Sequence, residues 1–156
     1  MASIEEKLSL LSKLAAKFQE QNLTWAIGSS LLLYLKGYVD TFNDLDIMVT
    51  AEDAGKMETI LHTFGTLQPS EPGTYATKHF REFLIGDIEV DMIGGFAIIK
   101  DGKVYDCDLH PSQITGYADV LGQQIPLQSI PLWRTYYDMI GRKSKVVIID
   151  SCQKQE

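Results

Sequence analysis

The sequence is short of several things, and each shortage narrows what the chain can be. Its two cysteines, Cys107 and Cys152, have no metal-site spacing and could form one bridge at most, so free thiols in a reducing compartment are the simpler reading. No apolar run is long enough to cross a bilayer, and the opening stretch MASIEEKLSLLSKLAAKFQEQN interleaves Glu and Lys where a signal peptide would be apolar. A cytoplasmic protein with no membrane partner is expected. Basic charge is in deficit: 14 Lys and Arg against 21 Asp and Glu leave a net charge of −7, which argues against attraction to a phosphate backbone or an anionic surface. A nucleic-acid template is therefore not expected, and a cationic acceptor, or a nucleotide carrying its own metal, fits better. Internal repeats and low-complexity tracts are also missing.

What is there is the composition of an ordinary globular protein, 45% hydrophobic and 22% charged over 156 residues, enough for one sizeable core. Ile4, Leu8, Leu11, Leu14, Ala15 and Phe18 fall at helical spacing, with Ser3 as cap and Glu6 three residues on. TWAIG reads as a short strand, SSLLLYLKGY as a helix ended near Gly37, DLDIMVT as a second strand and AEDAGKMETILHTF as a further helix. Turn formers in TLQPSEPGTYAT predict an exposed loop. KHFREFLI and DIEVDMIGGF form a hairpin around Gly86, and Asp101-Gly102 marks another. GYADVLGQQIPL adds one or two short strands, Pro131 opens a helical region through Ile140, and KSKVVIIDSCQ fits strand or helix equally. The class is α+β, a mixed β-sheet flanked by helices.

The chemistry begins with strand parity. Asp44 and Asp46 in DLDIMV point the same way, with Cα atoms about 6.6 Å apart, while Leu45, Ile47 and Val49 point into the core. On the DIEVDMI strand Asp87, Glu89 and Asp91 likewise share one face. Carboxylates this close raise one another's pKa unless a cation intervenes, and Mg²⁺ takes one or two of them while leaving room for phosphate oxygens. Just before them, Gly28-Ser29-Ser30 delivers a strand to a helix start, where free N–H groups favour phosphate. Each piece alone has a plainer reading, as a wet strand face, a sheet edge or a capped turn. Their conjunction suits a nucleoside triphosphate with Mg²⁺.

Ile27-Gly28-Ser29, a helix-length spacer, Asp44-Leu45-Asp46-Ile47 and then Val90-Asp91-Met92 resemble the DNA polymerase β-type nucleotidyltransferase superfamily, over roughly residues 25–93. The tail, with a helix ending in Gly141-Arg142-Lys143, is similar to the small antibiotic (aminoglycoside or lincosamide) nucleotidyltransferases. The lysine common in their last helix has Tyr136 and Tyr137 at its place here. The toxin–antitoxin members carry Arg and Ser before the Asp pair, where this chain has Thr41, Phe42 and Asn43. The resemblance implies a nucleotidyltransferase fold in a single domain over 1–156, with a catalytic core over about 22–100 and an acceptor or dimerisation region over about 101–156. It implies two Mg²⁺ ions held by Asp44, Asp46 and Asp91, with Asp91 also taking the acceptor proton and Glu89 in reserve. Gly28, Ser29 and Ser30 would grip the triphosphate; apart from the resemblance, Arg81 on the strand before the third carboxylate could offset its charge, with a solvated strand face the plainer reading. The acceptor is expected to be a small hydroxyl compound, cationic by the chain's acidity, such as an aminoglycoside-like or lincosamide-like antibiotic, with homodimerisation one way to close the site. Two other classes compete: a non-catalytic regulator or toxin–antitoxin component on the same fold, and a metal-dependent glycosyltransferase using the Asp-Leu-Asp motif.

Overall fold

The computed structural model describes residues 1–69 and 76–154. Helix α1 (Ile4–Glu20) begins with a reciprocal cap: Glu6 N–H donates to Ser3 Oγ and Ser3 N–H donates to Glu6 Oε1, both at 3.1 Å. Its apolar stripe buries Leu11, Leu14, Ala15 and Phe18 completely. The chain continues through β1 (Trp25–Ile27), α2 (Ser29–Leu35), β2 (Leu45–Val49), α3 (Ala54–His62) and β3 (Thr66–Leu67). Residues 70–75, half of the expected loop, lie outside the described residues. Then come β4 (His79–Ile85), β5 (Ile88–Gly94), β6 (Ala97–Lys100), β7 (Lys103–Asp106), β8 (Ile114–Val120), β9 (Gln123–Gln128), α4 (Ile130–Met139) and α5 (Lys143–Gln153).

Seven strands form one mixed sheet in the order β3-β4-β5-β2-β1-β9-β8, in which β2–β5 and β1–β9 run parallel and the other neighbours antiparallel. The α+β expectation holds, and the hairpins fall where the glycines place them. Gly86 turns β4 into β5 at φ +62°, and Asp101-Gly102 turns β6 into β7 with φ +52° and +74°, two consecutive left-handed residues that match the twist of a two-residue hairpin. The stretch left open between strand and helix is α5. Val146 and Ile149 are buried at three-residue spacing while Val147 is exposed, a helical period, and Arg134 ties α4 to α5 through a two-pronged bond to Asp150 at 2.6 and 3.0 Å.

The C-terminal third shares the core of the rest. β9 bonds to β1 in the interior of the sheet, and one cluster of buried residues runs from Ala2 to Ile149. Trp133, Tyr136 and Tyr137 of α4 are almost fully buried, with Trp133 ring centroids 5.4 Å from Tyr137 and 5.9 Å from Phe96. They are core, as their spacing suggests. Among the described residues no helix is long and apolar enough to cross a membrane.

The packing of Trp133 explains Gly28. A Cβ on Gly28 would lie 2.5 Å from the indole ring, so the helix α4 aromatic closes over bare backbone at the start of α2. Gly28→Ala should therefore cost about 1–3 kcal/mol by overpacking. In Gly28→Ala/Trp133→Phe, which lacks the clashing ring atoms, the two losses should add to less than their sum. Denaturant melts of the two single variants and the double variant check it; strict additivity would show that the indole does not set this position.

Candidate functional site

Asp46 on β2 and Asp91 on β5 are register partners across a parallel strand pair, and Asp44 stands two residues before Asp46 on the same face. One carboxylate oxygen of each of the three lies within 4.8 Å of the others. Leu45, Ile47 and Val49 are fully buried on the opposite face, so the alternation that hides them forces the two acids of β2 together. Asp91 is brought in by Val90 and Met92, both fully buried, which lock β5 beside β2. Antiparallel β4 then places Glu82 directly opposite Asp91.

Burial and mutual repulsion distort the titration of all three. Asp44 is pushed up to about 6, by burial first, then by its bond to Glu89 and the charge of Asp46, against the pull of Lys7. Burial also lifts Asp46 to about 6, although hydrogen bonds from Ser29 and Asp91 and the nearby Arg142 oppose it. Asp91 rises furthest, to about 8, through burial and the charges of Asp46, Asp44 and Glu82. With no cation present, this crowding favours a proton on Asp91 that is shared with Asp46. Each folded-state value lies above the unfolded one. The stability these groups contribute is complete below about pH 4 and is lost as pH rises through about 6 and then about 8. With chelator present, the melting temperature should fall between about pH 5 and pH 9, and Mg²⁺ should recover part of the loss at the alkaline end. A flat profile, or one unaltered by Mg²⁺, would contradict the cluster's electrostatics.

A hydrogen-bonded line connects the cluster to α4. Tyr137 Oη lies 3.4 Å from Ser29 Oγ, and the Ser29 hydroxyl in turn donates to Asp46. Ser29 sits in the left-handed region at φ +58°, uncommon for a residue with a side chain, and that turn aims Oγ at the carboxylates. Ser30 accepts from Lys145 Nζ at 3.3 Å. Tyr137 and Lys145 are the residues sequence reasoning missed. Their signal is faint, because the Gly141-Arg142-Lys143 run drew attention to Lys143, which instead pairs with Asp138 at 2.6 Å on the surface.

One expectation needs correction and two are narrowed. Arg81 does not join the site: it is opposite Met92, on the face away from Asp91, where its Nε meets Glu58 of α3 at 3.3 Å. Strand parity, which placed the three aspartates, excludes it. Gly28 has a packing reason of its own, since Trp133 closes over it, whether or not phosphate also approaches there. Of the three acids in DIEVDMI, Asp87, just before β5, turns to the chain's amino terminus at 3.2 Å, and Glu89 bonds to Asp44 at the edge, leaving Asp91 as the one within the cluster.

Sheet order, the carboxylates on β2 and β5, and the Gly-Ser turn after β1 together make this the nucleotidyltransferase fold. A candidate nucleotidyltransferase from Thermotoga maritima superposes with a TM-score of 0.74 at 23% identity, covering 99% of this chain and 97% of that one. The adenylyltransferase ANT(2″)-Ia, solved with adenylyl-2″-tobramycin, gives 0.65 at 16% identity over 94% of this chain and 89% of its own. LnuA, a lincosamide antibiotic adenylyltransferase solved with lincomycin, gives 0.62 at 14% identity over 94% and 96%. No family model matches the sequence, and no curated protein matches it either.

Proposed function

We propose that this protein is a Mg²⁺-dependent nucleotidyltransferase that moves a nucleoside monophosphate from a nucleoside triphosphate to a hydroxyl of a small acceptor, releasing pyrophosphate. The observation that carries this reading is the convergence of Asp44, Asp46 and Asp91 within 4.8 Å beside Ser29 and Ser30. Three half-buried carboxylates, each offering an oxygen to one small volume, are a hard oxygen donor set that suits Mg²⁺ once they are ionised. They would hold two ions, which when bound supply the positive charge that the triphosphate and the departing pyrophosphate require.

The chain's own side chains do the rest. Ser29 and Ser30, with Lys145 and Arg142 behind them, receive the outer phosphates of the triphosphate. The acceptor oxygen forms its bond to the α-phosphorus as the bond from that phosphorus to the bridging oxygen breaks, and pyrophosphate leaves on the Ser29–Ser30 side. With cations held by the cluster, Asp91 would give up the proton that it shares with Asp46, and the hydroxyl proton then passes to the freed Asp91 carboxylate oxygen.

The test is direct: incubate the protein with Mg²⁺, each nucleoside triphosphate in turn and a panel of hydroxyl acceptors, and follow pyrophosphate and the mass of the acceptor. ATP is the first donor to try, and aminoglycosides and lincosamides are the first acceptors, since ANT(2″)-Ia and LnuA carry those names. An acceptor heavier by one nucleoside monophosphate residue with equimolar pyrophosphate is the expected result. Nucleotide binding without any adduct across the panel would favour a regulator on the same fold.

A further inference from the structure

We infer that the acceptor carries an apolar body, an alkyl chain or an aromatic ring, that sits in a cavity beside Asp91 while its hydroxyl reaches the carboxylates. The inference rests on the nucleotidyl-transfer reading above. A cavity of about 440 Å³ is lined by Phe80, Ile93, Phe96, Ile98, Met139 and Ile140, and among the described residues none of its lining side chains is charged. Its floor is built on the strands that carry the acids. Phe80 and Ile93 are register partners of β4 and β5, two residues along from the Glu82–Asp91 pair. Alternation puts all four on one face, so the apolar floor begins about 6.6 Å from the Asp91 backbone. Phe96, Ile98 of β6 and the end of α4 close over it.

The direction of attack selects this side of the site. Across the sheet face, the Ser29–Ser30 turn follows β1, Asp46 is on β2, Asp91 on β5, and Glu82 with Phe80 on β4. In an in-line displacement the entering oxygen approaches opposite the leaving one. With pyrophosphate departing at Ser29–Ser30, the acceptor comes from the β4–β5 side. Two cavities open there, toward opposite ends of β5. One, of about 570 Å³, sets Asp44, Asp87 and Glu89 with Lys7 among apolar groups of Met1, Ala2 and Leu84. The other is the apolar cavity, whose size and lining match those of small-molecule sites: mostly hydrophobic walls with polar groups converging at one end. A multiply charged amine would lose its hydration there and find no carboxylate in return. An apolar body gains by entering.

The probe is a series of linear 1-alkanols from butanol to octanol, set against tobramycin. Protein with labelled Ile and Met methyl groups is titrated with each in the presence of Mg²⁺ and a non-hydrolysable triphosphate, and transfer is followed separately with Mg²⁺-ATP. Saturable shifts are expected at Ile93, Ile98, Met139 and Ile140, with affinity rising about fourfold per added methylene and the alkanol acquiring the nucleotide with pyrophosphate release. Ile140→Glu, at the partly exposed rim, should weaken octanol at least about tenfold without weakening tobramycin; Ala97→Phe, which fills the space, is the second variant if the first melts early. Transfer to tobramycin, with neither methyl shifts nor transfer from the alkanols, would overturn this inference and leave the transfer reading standing. Transfer to nothing would remove the reading and the inference with it. Methyl shifts caused by nucleotide alone, with alkanols competing against it, would give the cavity to the nucleoside and also overturn the inference.

Discussion

Asp46→Asn should lower the rate of nucleotidyl transfer by at least about a hundredfold, beyond the ten- to hundredfold that losing an outer partner of a metal ligand costs, while leaving the metal-free protein as stable as before or more so. The two halves of that expectation come from one fact. Asp46 lies among Asp44, Asp91 and the hydroxyl of Ser29, and its charge is part of what lifts the Asp91 carboxyl to about 8. An amide of the same shape removes that repulsion, so Asp91 should titrate closer to its ordinary value and the alkaline loss of stability should shrink. It also removes an anionic ligand, so stabilisation by Mg²⁺-nucleotide, about 2.7 kcal/mol at a hundredfold excess over Kd in the unaltered protein, should largely vanish. Asp44→Asn and Asp91→Asn should behave alike. Asp87→Asn should not, because Asp87 is exposed and engaged with the amino terminus. Melting curves with and without Mg²⁺-nucleotide, beside pyrophosphate release, decide it. Undiminished stabilisation in all three Asn variants would end the metal assignment.

The parts of this site that were legible in the sequence were those written in short-range periodicity. Alternation in Leu45–Val49 and Ile88–Gly94 fixed which acids share a face, and burial of the intervening residues left them no choice. That the two strands would be neighbours, with Asp46 level with Asp91, is a matter of tertiary register, and only the family resemblance supplied it. The same parity could have excluded Arg81, since it and Glu82 must face opposite ways and Glu82 is the one opposite Asp91. Gly28 shows a second limit. A glycine before a helix looks the same whether a ligand or a tryptophan more than a hundred residues away demands the space, and only the fold brings Trp133 to it. The apolar cavity was not legible at all, because its walls come from β4, β5, β6 and the end of α4, each hydrophobic for reasons that core packing already covers.

Lys145→Met should weaken triphosphate binding about ten- to hundredfold, whereas Lys143→Met should change it little. The sequence points the other way, since Lys143 stands in the Gly-Arg-Lys run. Helix geometry separates them: residues two apart on a helix do not share a face. Lys143 turns outward to Asp138, with most of its side chain in solvent, while Lys145 is partly buried and reaches Ser30 at the start of α2. An exposed ion pair of the first kind contributes little. A charge-assisted bond from an ammonium to a phosphate oxygen contributes about 1.5–3 kcal/mol, which is the origin of the ten- to hundredfold figure. Salt supplies a second readout. Binding that depends on Lys145 should weaken as ionic strength rises, and the Lys145→Met variant should lose part of that dependence. Lys145→Arg should recover part of the affinity, because charge is restored although a broader head must fit beside Ser30. Calorimetric titration of Mg²⁺ with a non-hydrolysable triphosphate, at low and high salt, measures all three variants on one scale. Equal affinity in the unaltered protein and Lys145→Met, with the loss falling on Lys143→Met, would mean that the triphosphate lies outside the α2–α5 junction and that Ser29 and Ser30 serve the carboxylates alone.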